Sequence, residues 1–222
     1  MSGAHGADGS AGSAGSDGSV GSNGAVAGEP SYVHPALAAV LETEGRPVAQ
    51  HETAWFDGAM PLRISAYLGA ESTPRLPLEL ISSIRCIVRV GDKYLLCENK
   101  SSRHPWPGGR RNAGESFAET AAREVHEETG WLLIQDSLRQ LGWLRLRHLG
   151  PDPEGNEGAY PDFLQLVFVG EATEREGGLS PDAPWDDVDD YELGSSLVTL
   201  EEAIERTSVD MHAQVFLELL RG

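Results

Sequence analysis

The sequence predicts an α/β protein, in which one acidic helix lies among several strands. The segment 117–129 has the capping residues and the apolar stripe of an amphipathic helix. Apolar runs at 62–68, 80–97 and 163–169 are typical of strands. Helical patterns return near the C-terminus, and this alternation favours helices packed on a sheet.

The first part of the chain divides into a tail and an extension. Residues 1–29 are mainly Gly, Ser and Ala, with almost nothing to bury, so we expect a disordered, flexible tail. Residues 30–78 contain a short helix, Pro35 to Glu44, and an alternating strand, Leu62 to Leu68. This extension could pack on the main domain, pair two subunits or cover a substrate. We assign residues 79–222 to the main domain.

A hairpin pattern rich in Ile, Val and Leu opens the main domain. If residues 91–92 form a two-residue turn, Val90 pairs with Lys93, and counting back places Cys86 opposite Cys97. These are the only cysteines in the chain. We therefore expect two reduced thiols that are neighbours across the hairpin.

The helix 117–129 is the best-defined element of the sequence. Ser116 is a good N-cap, and Glu119 stands three residues later, where a capping box needs it. Gly130 falls where a left-handed C-cap would end the helix.

The acidic residues of this helix share one face. Glu124, Glu127 and Glu128 stand at i, i+3 and i+4, where like charges repel. A hard divalent cation removes this conflict, because Mg²⁺ takes oxygen ligands. Arg123 could hold one carboxylate through a bidentate pair. Two adjacent glutamates alone are more often plain solvated surface, so the surrounding residues decide the interpretation.

The segment from Gly109 to Trp131 resembles the signature of the Nudix hydrolase family. That signature is Gly, five residues, Glu, seven residues, Arg-Glu, an apolar residue, any residue, Glu-Glu, any residue, Gly and an apolar residue. Trp131 takes the last place, where a smaller aliphatic residue is commoner. The other places are filled without a gap, by Gly109, Glu115, Arg123, Glu124, Val125, Glu127, Glu128 and Gly130.

The resemblance implies an α/β/α sandwich with a mixed sheet, to which the α/β extension is added. It also implies a Nudix pyrophosphohydrolase that uses Mg²⁺ or Mn²⁺ to cleave a nucleoside diphosphate linked to another group. Glu124, Glu127 and Glu128 would bind the metal, and a bound water would lose its proton to Glu124 or to a loop acid such as Glu192. The remaining signature residues are expected to brace the loop and helix rather than touch substrate; they are Glu115, Arg123 and Gly130.

Glycines and arginines before the helix are candidates for substrate binding. Gly108 and Gly109 follow Pro107, as in the Pro-Gly-Gly turn that leads into the Nudix signature, and they let a backbone approach a ligand closely. Arg103, Arg110 and Arg111 form the densest positive cluster of an acidic chain. A solvated basic loop is the alternative, but beside a metal site we expect at least one of them to contact phosphate.

Strands and helices follow the signature. Residues 138–149 and 163–169 read as strands, and Tyr160 and Phe163 could stack on a base, although aromatic residues at such a junction more often belong to the core. The segment 181–192 is an acidic loop; its acids are Asp182, Asp186, Asp187, Asp189, Asp190 and Glu192. The last two helices are expected to begin at the caps Thr199 and Ser208, and His212 is expected to pack rather than to bind a ligand.

The net charge of the chain limits which binding partners we expect. The net charge of −18 disfavours binding to nucleic acid and to anionic membranes. No apolar run is long enough to span a bilayer and no secretory signal is present, so we expect a cytoplasmic protein that acts on a small-molecule nucleotide, with a homodimer left open.

The alternative to an enzyme is a nucleotide-sensing module that keeps the fold without turnover. Degenerate Nudix members usually lose signature carboxylates, and all are present here, which favours the enzyme. Markers of the subfamilies that act on ADP-ribose, dinucleoside polyphosphates or NADH are absent, so the specific substrate stays open.

Overall fold

The computed structural model describes residues 29–56, 58–99, 104–156, 158–187 and 192–221. The strands are β1 (Ala49–Trp55), β2 (Met60–Leu68), β3 (Ile81–Val90), β4 (Lys93–Asn99), β5 (Trp131–His148), β6 (Asp162–Arg175) and β7 (Glu192–Val198). The helices are α1 (Pro35–Glu44), α2 (Phe117–Thr129), α3 (Leu200–Arg206) and α4 (Met211–Glu218). None of the helices in this part of the chain is long and apolar enough to cross a membrane.

The seven strands in the described ranges form one sheet, in the order β1-β2-β5-β6-β3-β4-β7. β3 and β6 run parallel and the other neighbours run antiparallel, so the sheet is mixed. Apolar residues of α1 and α2 pack on one face, and those of α3 and α4 pack on the other. This confirms the predicted α/β/α sandwich with a mixed sheet.

The N-terminal extension continues this sheet. The predicted helix and strand form as α1 and β2, and β2 pairs with β5 from Leu62 opposite His148 to Leu68 opposite Gly142. Alternation explains the pairing, because Leu62, Ile64 and Ala66 bury their side chains in the core beneath α3 and α4. The predicted tail lies outside the described residues except for Glu29, which accepts hydrogen bonds from Arg63 and Arg147.

The predicted hairpin register is correct only for the two residue pairs next to the turn. Val90 pairs with Lys93 and Arg89 with Tyr94, but the ladder goes no further. The segment that follows β4 enters between the two strands: Cys86 N–H donates to Pro107 O at 2.9 Å, and Cys97 N–H donates to Pro105 O at 2.8 Å. The prediction that Cys86 pairs with Cys97 is therefore wrong. A two-residue turn fixes the first pairs, and here a third segment competes for the remaining hydrogen bonds.

Three further predictions concern the residues at which β5, α3 and α4 begin. β5 begins directly after Gly130, several residues before the predicted strand at 138. The Thr199 cap is confirmed, since its Oγ1 accepts from Glu202 N–H at 3.2 Å. The Ser208 cap is wrong: Ser208 N–H donates to Glu205 O in a turn that closes α3, and α4 begins at Met211.

Candidate active site

The loop and helix of the signature are held by the predicted caps. Ser116 and Glu119 form a reciprocal capping box, in which Ser116 N–H donates to Glu119 Oε2 at 2.7 Å and Glu119 N–H donates to Ser116 Oγ at 3.2 Å. At the other end, Gly130 has φ 71° and donates its N–H to His126 O. The chain therefore turns sharply at both ends of α2, which fixes the acidic face relative to the preceding loop.

Arg123 connects the loop to the acidic face. Its Nε donates to Glu115 Oε1 at 2.7 Å, and its Nη2 donates to Arg110 O at 2.8 Å. The same guanidinium holds the pKa of Glu115 at about 2, with help from Asn112 N–H. These contacts agree with the expectation that Glu115 and Arg123 brace the structure.

The Nη1 atom of Arg123 lies between two signature carboxylates. It is 2.7 Å from Glu124 Oε1 and 2.8 Å from Glu127 Oε2. Both carboxylates therefore face one positively charged point on the helix surface. The repulsion expected from their spacing is removed here by an arginine.

Glu124 is buried and closely packed against the glycine turn. Its side chain belongs to the buried set, at 8% exposure, and lies against the backbone of Gly109. A Cβ at Gly109 would come within 2.5 Å of the Glu124 carboxylate, so only glycine leaves room for that side chain. Burial raises the pKa of Glu124, although Arg123 opposes this shift.

Glu128 points in another direction from its neighbours. Its Oε2 accepts from Gly108 N–H at 3.0 Å, and the side chain lines a cleft beside α2. Gly108 has φ 149°, and a Cβ there would meet Ile84 O at 2.2 Å. Glycine is thus required at this position by both backbone conformation and space. Within the described ranges, no group of three His, Cys, Asp or Glu side chains is arranged to hold a metal ion.

The cleft has a volume of about 320 Å³. The predicted substrate-binding residues Gly108, Gly109 and Arg110 line it. Arg111 is instead directed at Glu115 O, at 2.9 Å, and its guanidinium lies over the Phe117 ring. Arg103 lies outside the described residues. Glu192 begins β7, but its side chain lies outside the described part of the chain, as do Asp189 and Asp190.

Arg85 is a cleft residue that the sequence did not single out. It lies on β3, its Nη1 donates to Gly108 O, and His104 Nδ1 is 3.3 Å away. It places positive charge beside the glycine turn and Glu128. In the sequence it is one of four polar residues in a mainly apolar strand, and only the insertion of residues 105–109 beside β3 brings it to the site.

The loop after β6 docks on the C-terminal end of α2. Trp185 Nε1 donates to Glu127 O at 3.0 Å, and the Trp185 ring lies over Gly130, where a Cβ would come within 2.4 Å of it. Arg175 donates to Thr129 O at 3.0 Å and to carbonyls of residues 180–183. Asp186 and Asp187, two of the predicted loop acids, directly follow this anchored tryptophan.

Comparisons with known proteins agree with the signature. The chain matches the NUDIX domain over residues 80–220. A segment of 56 residues, 24% of this chain, is 39% identical to the uncharacterized Nudix hydrolase YvcI of Bacillus subtilis (strain 168) and spans only 35% of that protein.

Solved structures with a similar fold include two from Bacillus species. A mutant of the pyrophosphohydrolase BsRppH from Bacillus subtilis is 21% identical, with 67% of this chain and 77% of that chain covered and a TM-score of 0.45. A MutT protein from Bacillus halodurans is 25% identical, with 63% and 82% covered and a TM-score of 0.40. At such scores, these structures say nothing about the substrate of this chain. Because the family match covers more than half of the residues, this protein belongs to the Nudix domain family.

Proposed function

We propose that this chain is a divalent-metal-dependent hydrolase that cleaves the pyrophosphate bond of a nucleoside diphosphate linked to another group. One observation carries the proposal: the signature carboxylates are all present on α2, Glu128 lines a cleft that also contains Arg85 and the Gly108–Gly109 turn, and Glu124 lies against Gly109. Degenerate members of the family usually lose signature carboxylates, and all three are present here.

The donor chemistry of α2 fits Mg²⁺ or Mn²⁺. Carboxylate oxygens are preferred ligands of both ions, and Glu124 and Glu127 lie close enough for a single atom, Arg123 Nη1, to contact both carboxylates. The space against Gly109 is shaped for the Glu124 carboxylate. Glu124, Glu127 and Glu128 would hold the ion, which when bound neutralises diphosphate oxygens and lowers the pKa of water.

The chain's own residues supply positioning and proton transfer. Gly108 and Gly109 line the cleft, and Arg85 in the same cleft offers a positive charge to diphosphate oxygens. Glu124 is one candidate to accept the proton of the attacking water. The alternative bases are Glu192, at the start of β7, and the acids that directly follow Trp185, whose side chain is hydrogen-bonded to the end of the same helix.

Nucleoside monophosphate release should be measured over a panel of nucleoside diphosphate derivatives, with Mg²⁺, with Mn²⁺ and with EDTA. The wild type is compared with Glu127→Gln and with Glu205→Gln, which makes the same charge change on α3. We expect metal-dependent turnover that Glu127→Gln reduces at least about 100-fold and Glu205→Gln leaves intact. Tight nucleotide binding without turnover across the panel would instead favour the sensing module.

A further inference from the structure

We propose that a hydration site lies buried between the cleft and α4, where one internal water binds Trp106 Nε1 and His212 Nδ1. His212 is then a positioning residue, because it acts on the glycine turn through the water and Trp106 and does not line the cleft itself. The hydration site stands by itself, whereas its effect on catalysis rests on the proposed function.

The site is a small cavity bounded by strands of the sheet, by residues 105–106 and by α4. Its volume is about 20 Å³. A cavity of about 10–15 Å³ already has room for one water. Several of the residues that line it also line the cleft, namely Trp55, Arg85, His104 and Gln165. The cavity therefore lies directly behind the wall of the cleft, on the side of α4.

Trp106 and His212, which line this cavity, each have a buried polar atom without a partner. Trp106 is 1% exposed and His212 is 6% exposed. Neither Trp106 Nε1 nor His212 Nδ1 has a hydrogen-bond partner among the described residues. A polar atom that is buried in this way costs free energy. One shared water would remove both costs, because a buried water makes about two to four hydrogen bonds.

The hydrogen-bonding roles of the two side chains are complementary. An indole Nε1 can only donate, whereas the nitrogen of a neutral imidazole that carries no hydrogen can only accept. Burial lowers the pKa of His212 to about 4, with further contributions from His51 and Arg85, so this ring is neutral near pH 7. With the His212 proton on Nε2, a single water accepts from Trp106 Nε1 and donates to His212 Nδ1.

Neighbouring rings restrain both side chains. The His212 ring stacks on that of His51, with centroids 5.2 Å apart and planes 7° from parallel. The Trp106 ring meets Phe216 edge to face, at 6.5 Å and 79°. Phe216 follows His212 by four residues on α4, so one face of this helix contacts both rings of the proposed site.

Trp106 connects the cavity to the glycine turn. It stands two residues before Gly108, in the segment that is inserted between β3 and β4. Its neighbours are hydrogen-bonded to these strands, because Pro105 O accepts from β4 at 2.8 Å and Pro107 O accepts from β3 at 2.9 Å. Gly108 N–H in turn donates to Glu128 Oε2 at 3.0 Å. A displaced indole therefore moves a short segment that ends at the proposed reaction centre.

Nuclear magnetic resonance of the ¹⁵N-labelled protein tests the hydration site without turnover. Trp106→Phe, which removes the indole donor, assigns the Trp106 signal. In the wild type we expect a cross-peak between this indole hydrogen and a long-lived water, and ¹⁵N shifts of His212 that place its proton on Nε2 at pH 7. His212→Leu should abolish the cross-peak, whereas His212→Asn should keep it, because an amide oxygen can accept near the position of Nδ1.

The amide signals of Gly108 and Gly109 test the positioning, together with kinetics on the substrate that the turnover panel identifies. We expect His212→Leu to shift these signals and to lower kcat/KM about tenfold or more, and His212→Asn to restore most of both. Leu217→Val is the matched control, because Leu217 is fully buried on α4 and does not line the cavity. It should lower the Tm and leave the glycine signals and kcat/KM unchanged.

The possible failures are distinguishable. A wild type without the water cross-peak, or with the His212 proton on Nδ1, would overturn the hydration site. Glycine signals and kcat/KM that respond alike to His212→Leu and Leu217→Val would overturn the positioning, because His212 would then only pack. If no member of the panel is turned over, the proposed function fails, and the glycine signals still decide the positioning.

Discussion

Replacing Gly130 with alanine should destabilise the fold through both its backbone and its contact with Trp185. The left-handed conformation, φ 71° and ψ 1°, costs an L-residue about 1–2 kcal/mol. A Cβ would also come within 2.4 Å of the Trp185 ring, which must then move. Movement breaks the bond from Trp185 to Glu127 O, worth about 0.5–1.5 kcal/mol, and the contact with Arg175, worth about 0.5–1 kcal/mol. The expected loss in the free energy of unfolding is about 2–4.5 kcal/mol.

Gly177→Ala separates the two contributions. Gly177 has nearly the same conformation, φ 65° and ψ 12°, but nothing lies within 4 Å of a Cβ built there. We expect Gly177→Ala to show the backbone cost alone. In a Trp185→Ala background, Gly130→Ala should cost about as much as Gly177→Ala, because the clash is then absent.

Urea and thermal unfolding followed by circular dichroism measure these differences. For a chain of this size, each kcal/mol lowers the Tm by about 2–4 °C, so Gly130→Ala should lower it by about 4–18 °C. Equal losses for Gly130→Ala and Gly177→Ala in the otherwise unchanged protein would refute the reasoning. So would a Gly130→Ala penalty that persists undiminished after Trp185 is removed.

Three other predictions follow from the buried groups. Gly109→Ala should displace the Glu124 carboxylate and lower kcat/KM about 100-fold with folding retained. Gly194→Ala is the control and should leave kcat/KM unchanged, because a Cβ built there has no atom within 4 Å. Equal kcat/KM values for the two variants would contradict this prediction. The pKa of His212 falls from 6.5 to about 4 on folding, so the unfolded chain binds more protons between these values and stability decreases as the pH falls through this window. His212→Gln should therefore show a flatter profile of urea stability from pH 6.5 to 4 than the wild type, and identical slopes would argue against it. Burial raises the pKa of Cys86 to about 12, so iodoacetamide at pH 8 should label it only after unfolding, as mass spectrometry would show; rapid labelling of the folded protein is the contrary result.

Local signals were sufficient to predict the signature helix. Its capping box, its left-handed C-cap and its apolar stripe each act within a few residues, so the sequence alone determines them. The alternation of apolar and polar residues from Leu62 to Leu68 similarly predicted strand β2, because its apolar side chains at alternate positions enter the core. Family resemblance then supplied the sandwich and the mixed sheet.

Contacts between distant segments could not be predicted in the same way. The predicted pairing of Cys86 with Cys97 was wrong because residues 105–109 take the hydrogen bonds that a simple hairpin would use. Arg85 and Trp185 reach the site only through that insertion and through a loop that docks on α2. No residue spacing in the sequence predicts the insertion of residues 105–109 or the docking of the Trp185 loop on α2.

Two cleft residues of the N-terminal extension, Trp55 and Phe56, illustrate the same limit. Trp55 and Phe56 lie more than fifty residues before the signature helix, and only the strand order of the sheet brings them near it. Three uses of the extension were open from the sequence. The structure shows the first of them, packing on the main domain, because β2 pairs with β5 and buries side chains in the same core.

The central claim is that the acidic face of α2 holds the divalent cation that hydrolysis requires. Mn²⁺ binding followed by electron paramagnetic resonance tests it directly, in the wild type, in Glu127→Gln and in the charge-matched Glu205→Gln. We predict that Glu127→Gln weakens Mn²⁺ binding at least about tenfold and that Glu205→Gln leaves it unchanged. Equal Mn²⁺ affinity in all three proteins would contradict the claim and place the cation elsewhere.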